Sequence, residues 1–210
     1  MIIHQTAPAL DRISSAIARG WAIAFRTDTF YGLGVDPFNR DAVRRIKDLK
    51  GRDDQKPILI VISDDDQLTR FIENPSYGFG LLAKTFWPGA LTLVGQARVE
   101  VPDELTAGTP SIGVRLPDDE QVRELVRACG GALTATSANP SNGAPASTAQ
   151  QVETYFGDSV DLIVDGGQAR SELPSTVVDA VSEPKLIRAG VIPWVEIQAA
   201  LKGKSQNRRR

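Results

Sequence analysis

Apolar residues recur along the chain at two spacings, and together they predict an alternation of helices and strands. Leu10, Ile13 and Ile17 stand at helical spacing, and Gly20 follows as a stop. Trp21–Phe25 reads as a buried strand. A helix is predicted over Asp41–Lys50, with Val43, Ile46 and Leu49 on one face. Pro57 introduces a β-branched strand, Ile58–Ile62, and Ser63 with three following Asp residues suits the start of a helix. Tyr77–Phe86 is a further helix, ended by Pro88-Gly89, and strands follow at Leu91–Val94 and Ile112–Leu116. The next helix opens at Pro117-Asp118-Asp119-Glu120 and closes at Gly130-Gly131. A strand over Ala132–Thr136 runs into the turn Ser137-Ala138-Asn139-Pro140. Ser147 and Gln150 have capping-box spacing for a helix through Phe156. Strands at Leu162–Val164, Thr176–Val178 and Leu186–Ile187 precede a last helix, from Pro193 through Leu201.

Helices alternate with strands, but strands also follow strands directly. That order predicts an α/β domain with a twisted mixed sheet flanked by helices, containing antiparallel pairs. No internal repeat and no long linker divides the chain. One domain is therefore expected over residues 1–201, with 202–210 as a basic, disordered tail.

Bulk composition narrows the chemistry. Of 210 residues, 41% are hydrophobic and 24% charged, as in ordinary globular proteins. The net charge of −2 means that any nucleic-acid contact must come from a local patch, such as the tail. One Cys and one His leave no intrachain disulfide and no thiolate zinc cluster, so oxygen ligands and a hard cation such as magnesium are the metal chemistry to expect, if any. The N-terminus lacks the pattern of a signal peptide, and the apolar runs are too short to span a bilayer; a cytoplasmic protein is expected.

Candidate chemistry clusters at predicted element ends. Arg26-Thr27-Asp28-Thr29-Phe30-Tyr31-Gly32-Leu33-Gly34 follows the first strong strand and reads as a ligand loop or as an ordinary turn capped by Thr side chains. Arg44, Arg45 and Lys47 are explained as a solvated helix face favoured by the helix dipole. Lys50, Arg52 and Lys56 gather where that helix ends, and Arg52 and Lys56 lie past Gly51, where the dipole does not account for them. Guanidinium and ammonium groups of this kind suit carboxylates and phosphates. Ser137 and Asn139 stand two residues apart in a sharp turn, which turn chemistry alone also explains.

Taken together, these segments resemble the YrdC-like family, whose main activity is L-threonylcarbamoyladenylate synthesis. The resemblance runs from about Trp21 to Gly190 and is carried by Thr27-Asp28-Thr29 with Tyr31-Gly32-Leu33-Gly34, Leu49-Lys50-Gly51-Arg52 with Lys56-Pro57, and Phe86-Trp87-Pro88-Gly89-Ala90-Leu91-Thr92. Gly113-Val114-Arg115-Leu116-Pro117, Thr136-Ser137-Ala138-Asn139, Ser175-Thr176-Val177-Val178-Asp179 and Arg188-Ala189-Gly190 complete it. It implies a single α/β domain around a deep basic cavity, in the short form without a further C-terminal domain. It implies synthesis of L-threonylcarbamoyl-AMP from L-threonine, bicarbonate and ATP with magnesium, releasing pyrophosphate. A threonylcarbamoyl-transferase complex would then modify tRNA.

The resemblance assigns Lys50 and Arg52 to catalysis. It places Thr29, Arg115 and Ser175 at threonine, and Arg52, Lys56, Ser111, Ser137, Asn139 and Arg188 at the nucleotide. It assigns no residue to a metal. The chain departs from the family pattern at Arg26, which replaces a common Pro, at Val61, where many members carry a His near threonine, and at Asn142, an extra residue in the loop after Ser-Ala-Asn. The alternative function is a non-catalytic module of the same fold that binds structured RNA, tRNA or double-stranded RNA among them.

Overall fold

The computed structural model describes residues 1–51, 56–140 and 143–203. Strands form two mixed sheets rather than the one expected. The first contains β1 (Ile2–His4), β2 (Ile23–Arg26), β3 (Tyr31–Gly34), β8 (Thr136–Ser137) and β9 (Leu162–Asp165), in the order β1-β9-β2-β3-β8. The second contains β4 (Ile60–Ile62), β5 (Leu91–Gln96), β6 (Ser111–Arg115), β7 (Ala132–Thr134), β10 (Thr176–Asp179) and β11 (Lys185–Arg188), in the order β11-β10-β5-β6-β4-β7. The strand expected over Ala132–Thr136 is the link between them. Its first half, β7, pairs antiparallel with β4, and its second half, β8, pairs antiparallel with β3. The chain changes sheets at Ala135, so the two sheets share a seam.

Helices α1 (Ala7–Ala18), α2 (Arg40–Lys50), α3 (Tyr77–Phe86), α4 (Asp103–Thr106), α5 (Glu120–Ala128), α6 (Ala149–Phe156) and α7 (Trp194–Gly203) flank the sheets. Two apolar clusters hold the layers together. One joins Val43 and Ile46 of α2, Phe79 and Leu82 of α3 and Val152 of α6 to strand residues such as Leu33, Leu93 and Val114. The other packs Ile13 and Ile17 of α1 against Leu125 and Val126 of α5, with Phe25, Val61 and Leu133 beneath.

Local chemistry accounts for several boundaries that differ from expectation. The segment after Ser63 forms a 3₁₀ turn, Asp65–Arg70, with Asp64 at its N-cap. The cap of α6 is Thr148, whose Oγ1 accepts from Gln151 N at 3.2 Å, while the Gln151 side chain accepts from Ser147 N. The capping box is therefore displaced by one residue from Ser147 and Gln150. On α2, Asn39 caps the start by accepting from Ala42 N, and Gly51 ends it in a left-handed conformation at φ 54°. Arg44 and Arg45 reach out to Glu104 and Asp161, but Lys47, expected on a solvated face, is buried. Helix α7 runs through Gly203, and residues 204–210 of the expected tail lie outside the described residues. No described helix is long and apolar enough to cross a membrane.

Two buried acids give this core an alkaline limit. Burial pushes the Cys129 thiol from 9.0 to about 12. Burial, and then the Asp165 charge, push the Tyr31 phenol from 10.0 to about 12. In each case the fold favours the protonated form. Its stabilising contribution is complete below the unfolded-state value and is lost as pH rises to the folded-state value. Thermal unfolding followed by circular dichroism should show the melting temperature falling from pH 9 to 12, and Cys129→Ala should delay the onset to the tyrosine range. A flat profile up to pH 12 would contradict this.

Candidate active site

A cavity of about 320 Å³ opens at the seam between the sheets. Each sheet contributes a wall. The β2–β3 hairpin supplies Thr27, Thr29, Phe30 and Tyr31; β5 and β6 supply Thr92, Val94, Gly113 and Arg115; and the crossing strand supplies Ala135, Thr136 and Ser137. Pro174, Ser175 and Val177 close one side, with Ile187 and Arg188 of β11 at the edge. The segment Arg26–Gly34 is thus a hairpin whose turn, capped by Thr side chains, is a cavity wall.

The turn is set by its threonines. Thr27 Oγ1 donates to Phe30 O at 2.7 Å and accepts from Thr29 N at 3.2 Å. Those bonds leave Asp28 and Thr29 facing the end of β6. There Arg115 meets Asp28 in an ion pair at 3.0 Å and donates from Nη1 to Thr29 Oγ1 at 3.2 Å. Both charged side chains are buried, and Arg115 Nε has no hydrogen-bond partner. Asp28 went unassigned in the sequence because its partner lies far along the chain.

Opposite stands Ser175, buried, with its hydroxyl 2.9 Å from Thr92 Oγ1. Arg188 donates from Nη2 to Ser175 O at 2.8 Å and to Ser175 Oγ at 3.1 Å. It meets no carboxylate among the described residues. Burial of its head in the cavity wall, and then repulsion by Arg115, hold Arg188 below the ordinary guanidinium value, although β11 is an exposed edge strand. Gly190 keeps this arrangement closed. A Cβ there would lie 2.2 Å from Pro174 O and 2.5 Å from Thr176 N, so a side chain would displace the backbone that carries Ser175.

Lys50 works from behind the cavity. Its Nζ donates to the carbonyl of Ser137 and, at 3.0 Å, to the carbonyl of Asn139, with Ser137 Oγ at 3.4 Å. Asn139 completes the turn by donating to Pro140 O at 2.9 Å and to Gly143 O at 2.7 Å. Lys50 and Asn139 therefore shape the turn that presents Ser137, and neither lines the cavity.

Of the residues singled out in the sequence, Thr29, Arg115, Ser137, Ser175 and Arg188 come together on the cavity wall. Lys56 is exposed beside Pro57, which does line it. Ser111 is half-buried on the same strand as Gly113 and Arg115, two and four positions upstream, and does not reach the cavity. Val61 is fully buried in the apolar core and lines no part of the site. Arg52 and Asn142 lie outside the described residues. The donors on the wall are hydroxyls and guanidiniums, which suit an anion, and no group of His, Cys, Asp or Glu among the described residues could hold a metal ion directly.

The Sua5/YciO/YrdC family model, described as telomere recombination, matches residues 15–190. The chain belongs to the Sua5/YciO/YrdC family. Threonylcarbamoyl-AMP synthase of Pyrococcus abyssi is 35% identical over 192 residues, which are 90% of this chain and 56% of that relative. The chain thus spans little more than half of that relative's length. Threonylcarbamoyl-AMP synthase of Halorhodospira halophila, of similar length, is 33% identical over 175 residues, 83% of this chain and 92% of the relative. The crystal structure of P. abyssi Sua5 complexed with L-threonine superposes with a TM-score of 0.92 at 33% identity, covering 96% of this chain and 61% of that one. The Sua5/YciO/YrdC fold thus accounts for the α/β architecture with mixed sheets flanked by helices.

Proposed function

We propose that this chain makes L-threonylcarbamoyl-AMP and pyrophosphate from L-threonine, bicarbonate and ATP, the first step in threonylcarbamoyl modification of tRNA in the cytoplasm. One observation carries the reading: two guanidiniums, Arg115 and Arg188, line one cavity that no described carboxylate lines. An anion between them would offset their mutual repulsion. The threonine carboxylate is such an anion, and the hydroxyls of Thr29 and Ser175 stand beside it to fix its orientation. The relatives named threonylcarbamoyl-AMP synthase, and the threonine complex of P. abyssi Sua5, support the choice of substrate.

The chemistry needs no protein nucleophile. Threonine's amine, once deprotonated, attacks bicarbonate with loss of hydroxide, or adds to its CO2 equivalent, and a proton leaves the nitrogen to give the carbamate. A carbamate oxygen then attacks the α-phosphorus of ATP, and pyrophosphate leaves. Ser137 would meet the nucleotide, with Lys50 and Asn139 holding its turn, and Arg188 would reach from the threonine carboxylate to the nucleotide. Arg52 and Lys56 would neutralise phosphate oxygens, and Ser111 would act from the outer end of β6. Magnesium would arrive with ATP and offset the triphosphate charge. Catalysis of this kind is positioning and electrostatic stabilisation, with the seam shielding a labile carbamate from water. The product would pass to a threonylcarbamoyl-transferase complex, and contact with tRNA would fall to the basic tail.

The test is an omission assay. Purified protein should release pyrophosphate only when ATP, L-threonine, bicarbonate and magnesium are all present. Release that ignores threonine would contradict the proposal.

A further inference from the structure

Two buried ion pairs clasp the same two chain segments. Asp28 meets Arg115 at 3.0 Å, and Arg26 meets Asp119 at 2.8 Å. The order is crossed: going outward along the β2–β3 turn from Asp28 to Arg26 means going forward along the chain from Arg115 to Asp119. The signs alternate as well, with a carboxylate on the hairpin in the inner rung and a guanidinium in the outer one. Only the inner rung borders the cavity, through Arg115.

The outer rung has the marks of a spatial restraint rather than of an optimised stabilising contact. Its side chains are 3% and 2% exposed, so both charges are desolvated. Arg26 Nε is nevertheless buried without a hydrogen-bond partner, as Arg115 Nε is in the inner rung, and Asp119 Oδ2 gains only a longer second contact, at 3.5 Å, from Arg170. A buried pair with such gaps contributes little net stability compared with apolar residues of the same volume. What it does provide is connection. Asp119 caps α5 by accepting from Val122 N, and Arg26 Nη2 donates to Gln121 Oε1 at 3.3 Å, so the hairpin is tied to the start of a core helix. Asp28 and Thr29 hold the head of the Arg115 side chain; the second rung, four residues further on, fixes the segment that leaves β6.

We propose that Arg26 and Asp119 are positioning residues that hold Arg115 in the orientation in which it receives the substrate carboxylate. The proposal rests on the synthase reading for its substrate, and on the crossed pairs for its geometry.

Arg26→Met/Asp119→Asn removes both charges together and keeps an Asn cap on α5. The folded double variant should show a KM for L-threonine raised about tenfold, with kcat and the KM for ATP near wild-type values. A folded double variant with the wild-type threonine KM overturns the proposal. Should the double variant not fold, Asp119→Asn alone decides, with an expected rise of about threefold and a wild-type value again overturning it. If the wild-type protein has no threonine-dependent turnover, the synthase reading fails separately. Solvent exchange of the Arg115 Nε–H, followed by NMR, then tests the clasp directly: faster exchange in the variant supports it, and unchanged exchange overturns it.

Discussion

Arg115→Met is expected to lower kcat/KM for L-threonine by roughly 100-fold, the equivalent of about 3 kcal/mol for a buried charge that loses its partner. Two effects combine. The cavity loses the guanidinium that faces Arg188 across the site, and Asp28 is left buried and unpaired. The second effect destabilises the fold by about 3 kcal/mol. The double variant Asp28→Asn/Arg115→Met separates the two, because it removes the stranded charge but not the lost contact. Its melting temperature should recover toward wild type while its threonine kcat/KM stays low. Recovery of both would mean that Arg115 acts only on stability.

Lys50→Met is the second large effect. Lys50 donates to the carbonyls of Ser137 and Asn139, so its loss removes a charged donor from both, leaving Ser137 O with Asn139 N, and should cost about 2 kcal/mol of stability. The turn that carries Ser137 would loosen, and a misplacement of this kind should cost about 100-fold in turnover. The KM for ATP should rise more than the KM for threonine, because the turn borders the proposed nucleotide side. A variant with unchanged thermal stability and lost kcat would place Lys50 on the substrate itself instead of behind the loop.

Local signals suffice for helices α2, α3 and α5, which follow from periodicity and caps. Thr29, Arg115, Ser137, Ser175 and Arg188, whose roles only the family resemblance suggests, stand at strand ends that converge on one cavity. Local signals fall short where the cause is distant in the chain. Nothing in Ala132–Ser137 announces a change of sheet at Ala135, because pairing with β4 and with β3 is decided by residues elsewhere. Gly32 and Gly34 suggested a loop, yet both lie in β3, where the paired strand requires glycine at 34: a Cβ there would be 2.6 Å from Phe25 Cε1. The Asp28–Arg115 and Arg26–Asp119 pairs are invisible for the same reason. Lys47 looked solvated because helical spacing does not report what packs over a face.

Growing crystals with L-threonine and a non-hydrolysable ATP analogue would test the central claim most directly. The account predicts difference density in the cavity at the seam, with the threonine carboxylate between Arg115 and Arg188 and within hydrogen-bond distance of the Ser175 hydroxyl. Threonine bound away from these residues, or a cavity without density at saturating threonine, would contradict it.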